Sequence, residues 1–258
     1  MGARFVFSSP TSCSLIHASS VLGPIFSTTP ESTSGPPAQL FPSCVRVAFS
    51  DGREEPPALF PEEAEAVRDA VASRRREFAL GRWCARRALT ELGVAAQAIQ
   101  VGQYRAPCWP ADVVGSITHC TGFVGAAVAP TECLRAIGFD AERAESLDAD
   151  IVSLICTPAE IAWARERQDG RELEWAKVIF SAKEAIHKCV WPLFGQLLDF
   201  LDVTLDLDPV GHTFSARAAT PAARAGADLA CITGRVAVTK RLVFTCAFVE
   251  SSPGSVTT

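Results

Sequence analysis

Helical and extended stretches alternate twice along this chain, and that order constrains the fold more than any single residue does. Pro61-Glu62-Glu63, followed by Ala64, Ala66, Val67, Ala70 and Val71, has the Pro-first, acid-rich start of a helix running toward Arg76. A second helical stretch, Phe78 to Leu92, closes at Gly93, as a left-handed stop would. Val113 to Thr118 and Phe123 to Ala129 then read as the strands of a hairpin around Cys120-Thr121-Gly122. The order recurs: Leu134 to Glu142 alternates as a strand, Thr157-Pro158-Ala159-Glu160 opens a helix with a cap-like Thr, and Trp175 to Val190 is helical. Strands are expected again at Phe200 to Leu207, Thr213 to Ala218, Gly234 to Thr239 and Leu242 to Phe248. This predicts an α+β protein of two similar halves meeting near residue 130, although no close internal repeat is visible in the text.

The predicted organisation is a Ser/Thr/Pro-rich and disordered extension at 1–39, an N-terminal half at 40–130, a C-terminal half at 131–250 and a tail at 251–258. With Arg4 its only base, the extension is a poor transit peptide, and Val6 stands where a myristoylation motif wants Ser or Thr. A net charge of −5 argues against general nucleic-acid binding, so any anion site must be local. The ten cysteines are scattered without a C-x-x-C pair and are read as reduced, mostly buried residues of a cytoplasmic protein. No apolar run reaches the roughly 18 residues that span a bilayer, so no membrane is expected as partner.

Chemistry concentrates in Ile137-Gly138-Phe139-Asp140-Ala141-Glu142. The two-residue period of a strand puts Gly138, Asp140 and Glu142 on one face. Carboxylates this close repel unless a cation or proton intervenes, which favours a hard divalent ion such as magnesium, or manganese; the plain alternative is a solvated strand end. In Phe180-Ser181-Ala182-Lys183-Glu184-Ala185-Ile186-His187-Lys188, Glu184 and Lys188 lie one helical turn apart with apolar flanks on both sides. Such a pair needs a buried partner, and a third metal carboxylate with a cation for phosphate would supply it.

Positive charge gathers in Arg74, Arg75, Arg76, Arg82, Arg86 and Arg87. On one continuous helix Arg75, Arg82 and Arg86 would fall within about 20° of each other, either a phosphate-reading face or a solvated stripe. His119 ends Gly115-Ser116-Ile117-Thr118-His119, where small and hydroxylated neighbours suit donation to a phosphate oxygen, the plain alternative being a satisfied structural histidine.

These residues stand in the order of a known family. Arg74-Arg75-Arg76-Glu77-Phe78 with Gly81-Arg82, Cys108-Trp109-Pro110, Gly115 to Cys120, Ile137 to Glu142 and Phe180 to Lys188 together resemble the 4′-phosphopantetheinyl transferases of the surfactin and enterobactin type, across roughly Phe41 to Glu250. The resemblance implies a pseudo-dimer in which each half packs a small antiparallel sheet against a long helix, with coenzyme A between the halves. It implies a magnesium-dependent enzyme in which a serine of an apo acyl or peptidyl carrier protein attacks the β-phosphate of coenzyme A and expels 3′,5′-ADP. Asp140, Glu142 and Glu184 would hold the metal, Asp140, Glu184 and Lys188 would be catalytic, and Glu184, directly or through water, would take the serine proton.

Coenzyme A contacts implied in the same way are Arg74, Arg75, Arg82, Arg105, Ser116, Thr118, His119, Lys183 and Lys188. Before Cys108-Trp109-Pro110 the chain departs from the family pattern: relatives often carry lysines where this sequence has Val101-Gly102-Gln103-Tyr104-Arg105, and Arg105 is the candidate to replace them. The clients expected are carrier domains of fatty acid, polyketide, siderophore or nonribosomal peptide synthases, served by a monomer. Two other readings use the same residues: a catalytically silent module that binds coenzyme A or a carrier, and a metal-dependent phosphodiesterase. The second lacks an activating histidine or a second metal cluster.

Overall fold

A computed structural model describes residues 35–251 apart from 168. The expected disorder of the extension therefore lies outside the described residues as far as residue 34, and the tail from residue 252. The elements in chain order are β1 (Arg46–Ser50), α1 (Pro61–Glu65), α2 (Ala72–Glu91), β2 (Val113–Cys120), β3 (Phe123–Pro130), β4 (Leu134–Arg143), α3 (Ala149–Ile155), α4 (Pro158–Glu166), α5 (Glu172–Phe194), β5 (Val203–Asp208), β6 (Thr213–Ala218), α6 (Pro221–Gly226), β7 (Thr233–Val238) and β8 (Leu242–Glu250). They form two antiparallel sheets, ordered β1-β3-β2 and β4-β8-β7-β6-β5. Helix α2 packs on the first sheet and α5 on the second, so the α+β class and the two-half architecture hold.

Sequence expectation and structure differ at the first helix. Instead of one helix toward Arg76, α1 ends at Glu65 and α2 begins at Ala72, running through both expected segments to a stop at Gly93 (φ +80°). The Ala66 to Ala70 turn ends the first run.

The pseudo-symmetry missing from the plain text becomes visible in two buried ion pairs. Glu63, third in α1, accepts both hydrogen bonds of Arg86 from α2 at 2.8 Å, the amide of Phe60 at 3.1 Å and that of Ile99 at 2.9 Å. Glu160, third in α4, accepts Lys183 Nζ from α5 at 2.8 Å, the amide of Thr157 at 2.7 Å and that of Leu205 at 2.8 Å. Each carboxylate caps its own short helix and binds a cation 23 residues on. The offset that carries Glu63 onto Glu160 also carries Pro61 onto Pro158, Trp83 onto Phe180, Cys84 onto Ser181, Ala85 onto Ala182 and Leu89 onto Ile186. Arg87 and Glu91 take the places of Glu184 and Lys188 with their charges reversed, so only the second half carries the acid-then-base pair.

Three apolar clusters follow from this plan. One lies under α2, with Leu80, Cys84, Leu89, Ile99 and Val128. Another lies under α5, with Trp175, Ile179, Ile186 and Val236. Between the halves Phe41, Phe123, Ile137, Phe139, Phe244 and Phe248 interlock. Phe139 meets Phe41 edge-on at 5.1 Å between ring centres.

The sheets meet at their edges, β2 against β4, without a main-chain ladder. Ser116 Oγ accepts the Phe139 amide (2.9 Å) and donates to its carbonyl (3.3 Å), while Thr118 Oγ1 accepts the Ala141 amide (3.0 Å). Both hydroxyls are buried, at 3% and 2% exposure, so each replaces a hydrogen bond that an unpaired strand edge would otherwise lose.

The cysteine expectation is corrected at one pair: Cys44 and Cys133 form a disulfide, which joins the segment before β1 to the β3–β4 turn. The other seven cysteines of the described residues are free. No helix among the described residues is long and apolar enough to cross a membrane.

Candidate active site

Strand β4 alternates as its sequence demands. Ile137, Phe139 and Ala141 enter the core between the halves, while Gly138, Asp140 and Glu142 face α5. Gly138 permits this approach, since a Cβ there would lie 1.8 Å from the Ala185 carbonyl oxygen. The two elements therefore touch backbone to backbone, and Asp140 lies directly beneath the helix.

Asp140 is buried, at 4% exposure. Its Oδ1 accepts Lys188 Nζ at 2.7 Å and Thr118 Oγ1 at 3.2 Å, and its Oδ2 accepts Ser181 Oγ at 2.8 Å. Ser181 is held in turn by Thr245 of β8, whose hydroxyl lies 2.9 Å from Ser181 Oγ and donates to the Ser181 carbonyl at 2.8 Å. Lys188 also donates to the Phe139 carbonyl at 3.1 Å. Ser181 and Thr245 were not singled out from sequence. The available signal was the helical spacing of Ser181, Glu184 and Lys188, which puts all three on one face of α5.

The two remaining acids surround this pair. Glu142 Oε2 accepts Lys177 Nζ at 3.5 Å. Burial pushes the Glu142 carboxyl above its ordinary range, and the Asp140 charge adds to the rise. Burial likewise pushes the Glu184 carboxyl up, with Lys188 pulling it back and Asp140 adding to the rise. Among the described residues no three ligating side chains converge into a ready cation cage. The Lys188 ammonium instead sits on Asp140 and Lys177 on Glu142, so that two ammonium groups stand among the three acidic side chains Asp140, Glu142 and Glu184. Three hard oxygen donors fit a divalent cation of the magnesium type.

Across the seam, His119 leaves the end of β2 and meets α2. Its Nε2 lies 2.9 Å from Arg74 Nη1, and its Nδ1 lies 4.0 Å from Glu77. Burial lowers the His119 pKa; Glu77 and Asp140 oppose this, while Arg74 and Lys188 reinforce it. Arg74 Nε is buried and has no hydrogen-bond partner among the described residues, an orphan donor of the kind an anion satisfies. Arg82 donates Nε to the Ile99 carbonyl at 2.8 Å and lies over the Phe78 ring at 4.3 Å. Burial pulls its pKa down to about 10 despite the Glu63 charge.

Several expected contacts are spent elsewhere. Lys183, predicted to touch phosphate, is buried and bound to Glu160 and to the carbonyls of Ile155 and Phe200, all at 2.8 Å. The Ser116 and Thr118 side chains are committed to β4, and Thr118 also to Asp140. On the continuous helix α2 Arg75, Arg82 and Arg86 do share a side, but their guanidinium groups part: Arg86 serves Glu63, and exposed Arg75 turns back to the Ala70 carbonyl at 2.7 Å. The arginine that meets His119 is Arg74. Arg105 follows Tyr104 in a turn where both have positive φ, and Tyr104 rests edge-on against Trp191, 4.5 Å between ring centres, one turn beyond Lys188.

Residues 62–129 match the family model of the 4′-phosphopantetheinyl transferase N-terminal domain, and residues 136–232 match that of the 4′-phosphopantetheinyl transferase superfamily. The chain belongs to the 4′-phosphopantetheinyl transferases. The transferase is 40% identical over 211 residues to 4′-phosphopantetheinyl transferase Svp of Streptomyces mobaraensis, covering 81% of this chain and 86% of the relative. With 4′-phosphopantetheinyl transferase PptT of Mycobacterium tuberculosis it shares 38% identity over 206 residues, 77% of this chain and 90% of the relative. Enterobactin synthase component D of Escherichia coli O157:H7 matches at 34% over 127 residues, 47% and 57% of the two chains. The phosphopantetheinyl transferase reading of the sequence therefore holds, with coenzyme A as donor and a carrier protein as acceptor.

Proposed function

We propose that this transferase works with a divalent cation, magnesium in the first instance, held by Asp140, Glu142 and Glu184. What supports this is the Asp140–Lys188 pair under two carboxyls raised by burial and by the Asp140 charge. When bound, the cation would neutralise charge on the diphosphate of coenzyme A and make its bridging oxygen a better leaving group.

The residues of the chain divide the remaining work. The 40–130 half grips the nucleotide end through His119, Arg74 and Arg82, with Arg105 reaching in from the Tyr104 turn. The 131–250 half carries the chemistry. Lys188, within reach of both Asp140 and the Phe139 carbonyl, is placed to transfer its hydrogen bonds to a phosphate oxygen as charge develops there. Glu184 accepts the proton of the carrier serine, a role suited to a carboxyl whose pKa lies above the ordinary range. The serine oxygen bonds to the β-phosphorus, the bond to the bridging oxygen breaks, and 3′,5′-ADP leaves with that electron pair.

Asp140, Lys188, His119 and Arg74 all come from one chain, which supports a monomer, and we assign it to the cytoplasm, where coenzyme A and apo carriers of fatty acid, polyketide, siderophore or peptide synthesis meet. The deciding experiment incubates the protein with coenzyme A, an apo carrier panel and either magnesium or a chelator, and follows carrier mass. Phosphopantetheine should appear only with the cation. Transfer undiminished by chelator removes the metal site, and coenzyme A binding without transfer to any carrier favours the silent module.

A further inference from the structure

We propose that Glu63, remote from the reacting atoms, is a positioning residue that aims the Arg82 guanidinium at the 3′-phosphate of coenzyme A. The inference rests on the reading of Arg82 as a phosphate contact and adds what holds that contact in place.

Glu63 is fully buried, and its carboxylate takes four hydrogen bonds, two from Arg86 and one each from the amides of Phe60 and Ile99. A carboxylate has about four acceptor positions, so nothing is left over and its place is fixed. The link to Arg82 passes through one peptide residue. Glu63 Oε1 takes the amide of Ile99 at 2.9 Å, and the carbonyl of the same Ile99 takes Arg82 Nε at 2.8 Å. The Phe78 ring, 4.3 Å from Arg82 Cζ, restrains the guanidinium from one side. With Nε and one face fixed, the direction of the two terminal nitrogens follows, and a bidentate grip on phosphate depends on that direction.

The second half of the chain provides an internal comparison. There Glu160 makes the matching set with Lys183, Thr157 and Leu205, yet the residue equivalent to Arg82 is Ile179, which cannot receive such a relay. The buried clamp is thus common to both halves. The arginine mounted on it exists only in the half that faces the nucleotide.

The test compares coenzyme A with dephospho-coenzyme A, which lacks only the 3′-phosphate, by calorimetric Kd and by transfer kinetics on the full chain. Arg82→Gln should abolish the preference for coenzyme A; if the preference survives, the reading of Arg82 is wrong. Glu63→Gln should weaken coenzyme A about tenfold, the worth of one badly aimed charge-assisted contact, with dephospho-coenzyme A and kcat unchanged. Glu160→Gln should leave the preference intact. If Arg82→Gln removes the preference but Glu63→Gln weakens both donors equally, or neither, the positioning role is overturned while the Arg82 reading stands. Should Glu63→Gln fail to fold, Glu63→Asp, which keeps the charge and withdraws it by one methylene, is judged by the same two outcomes.

Discussion

Lys188 Nζ lies 2.7 Å from Asp140 Oδ1, in the seat a divalent cation would compete for. A cation held there would compete with the lysine for one carboxylate until a phosphate drew the lysine away. Lys188→Met should tighten magnesium or manganese binding in the absence of coenzyme A, by about threefold or more, while lowering transfer by about 100-fold. Titration of the apo protein with manganese, followed by its paramagnetic signal, gives the first quantity. Weaker cation binding in the variant would show that Lys188 assists the metal instead.

Raised carboxyl pKa values carry a definite sign. Protonated Glu142 and Glu184 are favoured in the folded state, so their contribution to stability is present at pH below the ordinary carboxylate range and is lost as pH rises through their raised values. A cation bound by these carboxyls would reverse this by stabilising the ionised forms. The rise in Tm caused by magnesium should therefore be larger at pH 7.5 than at pH 5, and should shrink in Glu142→Gln. A rise independent of pH would separate the cation from these carboxyls.

Gly138→Ala places a methyl group against the Ala185 carbonyl of α5. Separating β4 from the helix should destabilise the protein by about 3 kcal/mol in urea unfolding and reduce transfer beyond what the remaining folded fraction explains. A variant of unchanged stability would mean that the strand and helix stand further apart than described.

Reduction of Cys44–Cys133, or Cys133→Ser, opens a loop spanning 89 residues. Loop-closure entropy makes this worth up to about 4.5 kcal/mol, so Tm should fall under a thiol reductant while transfer at low temperature persists, the bond being remote from Asp140 and His119. An unchanged Tm would show that the loop ends are already held by Phe41 and its aromatic neighbours.

Much of this was legible in the residues. Period-two alternation put Asp140 and Glu142 on one face because a strand between two packed layers must alternate, and Thr157-Pro158-Ala159-Glu160 announced its helix through local capping chemistry. What local text could not show was which charges are buried. Arg82, Arg86 and Arg74 look alike in sequence, and only Glu63 arriving from 23 residues before Arg86 decides that Arg86 belongs to the core. Lys183 sits beside Glu184 in the motif, yet Glu160 claims it. The repeated Pro-x-Glu with a base 23 residues later was the available clue. Strand β1 and helix α3 were missed for related reasons: β1 has five residues and exists through pairing with β3, and α3 has seven residues with little periodicity.

A main-chain ladder would hold whatever side chains its strands bore, but the junction of β2 with β4 is written in the side chains of positions 116 and 118. A residue without a hydroxyl at either place would leave a buried amide of β4 unanswered, so the two lobes form a matched set. A chimera that exchanges one lobe has to keep those alcohols facing the opposite backbone as well as the aromatic packing of Phe123 and Phe139.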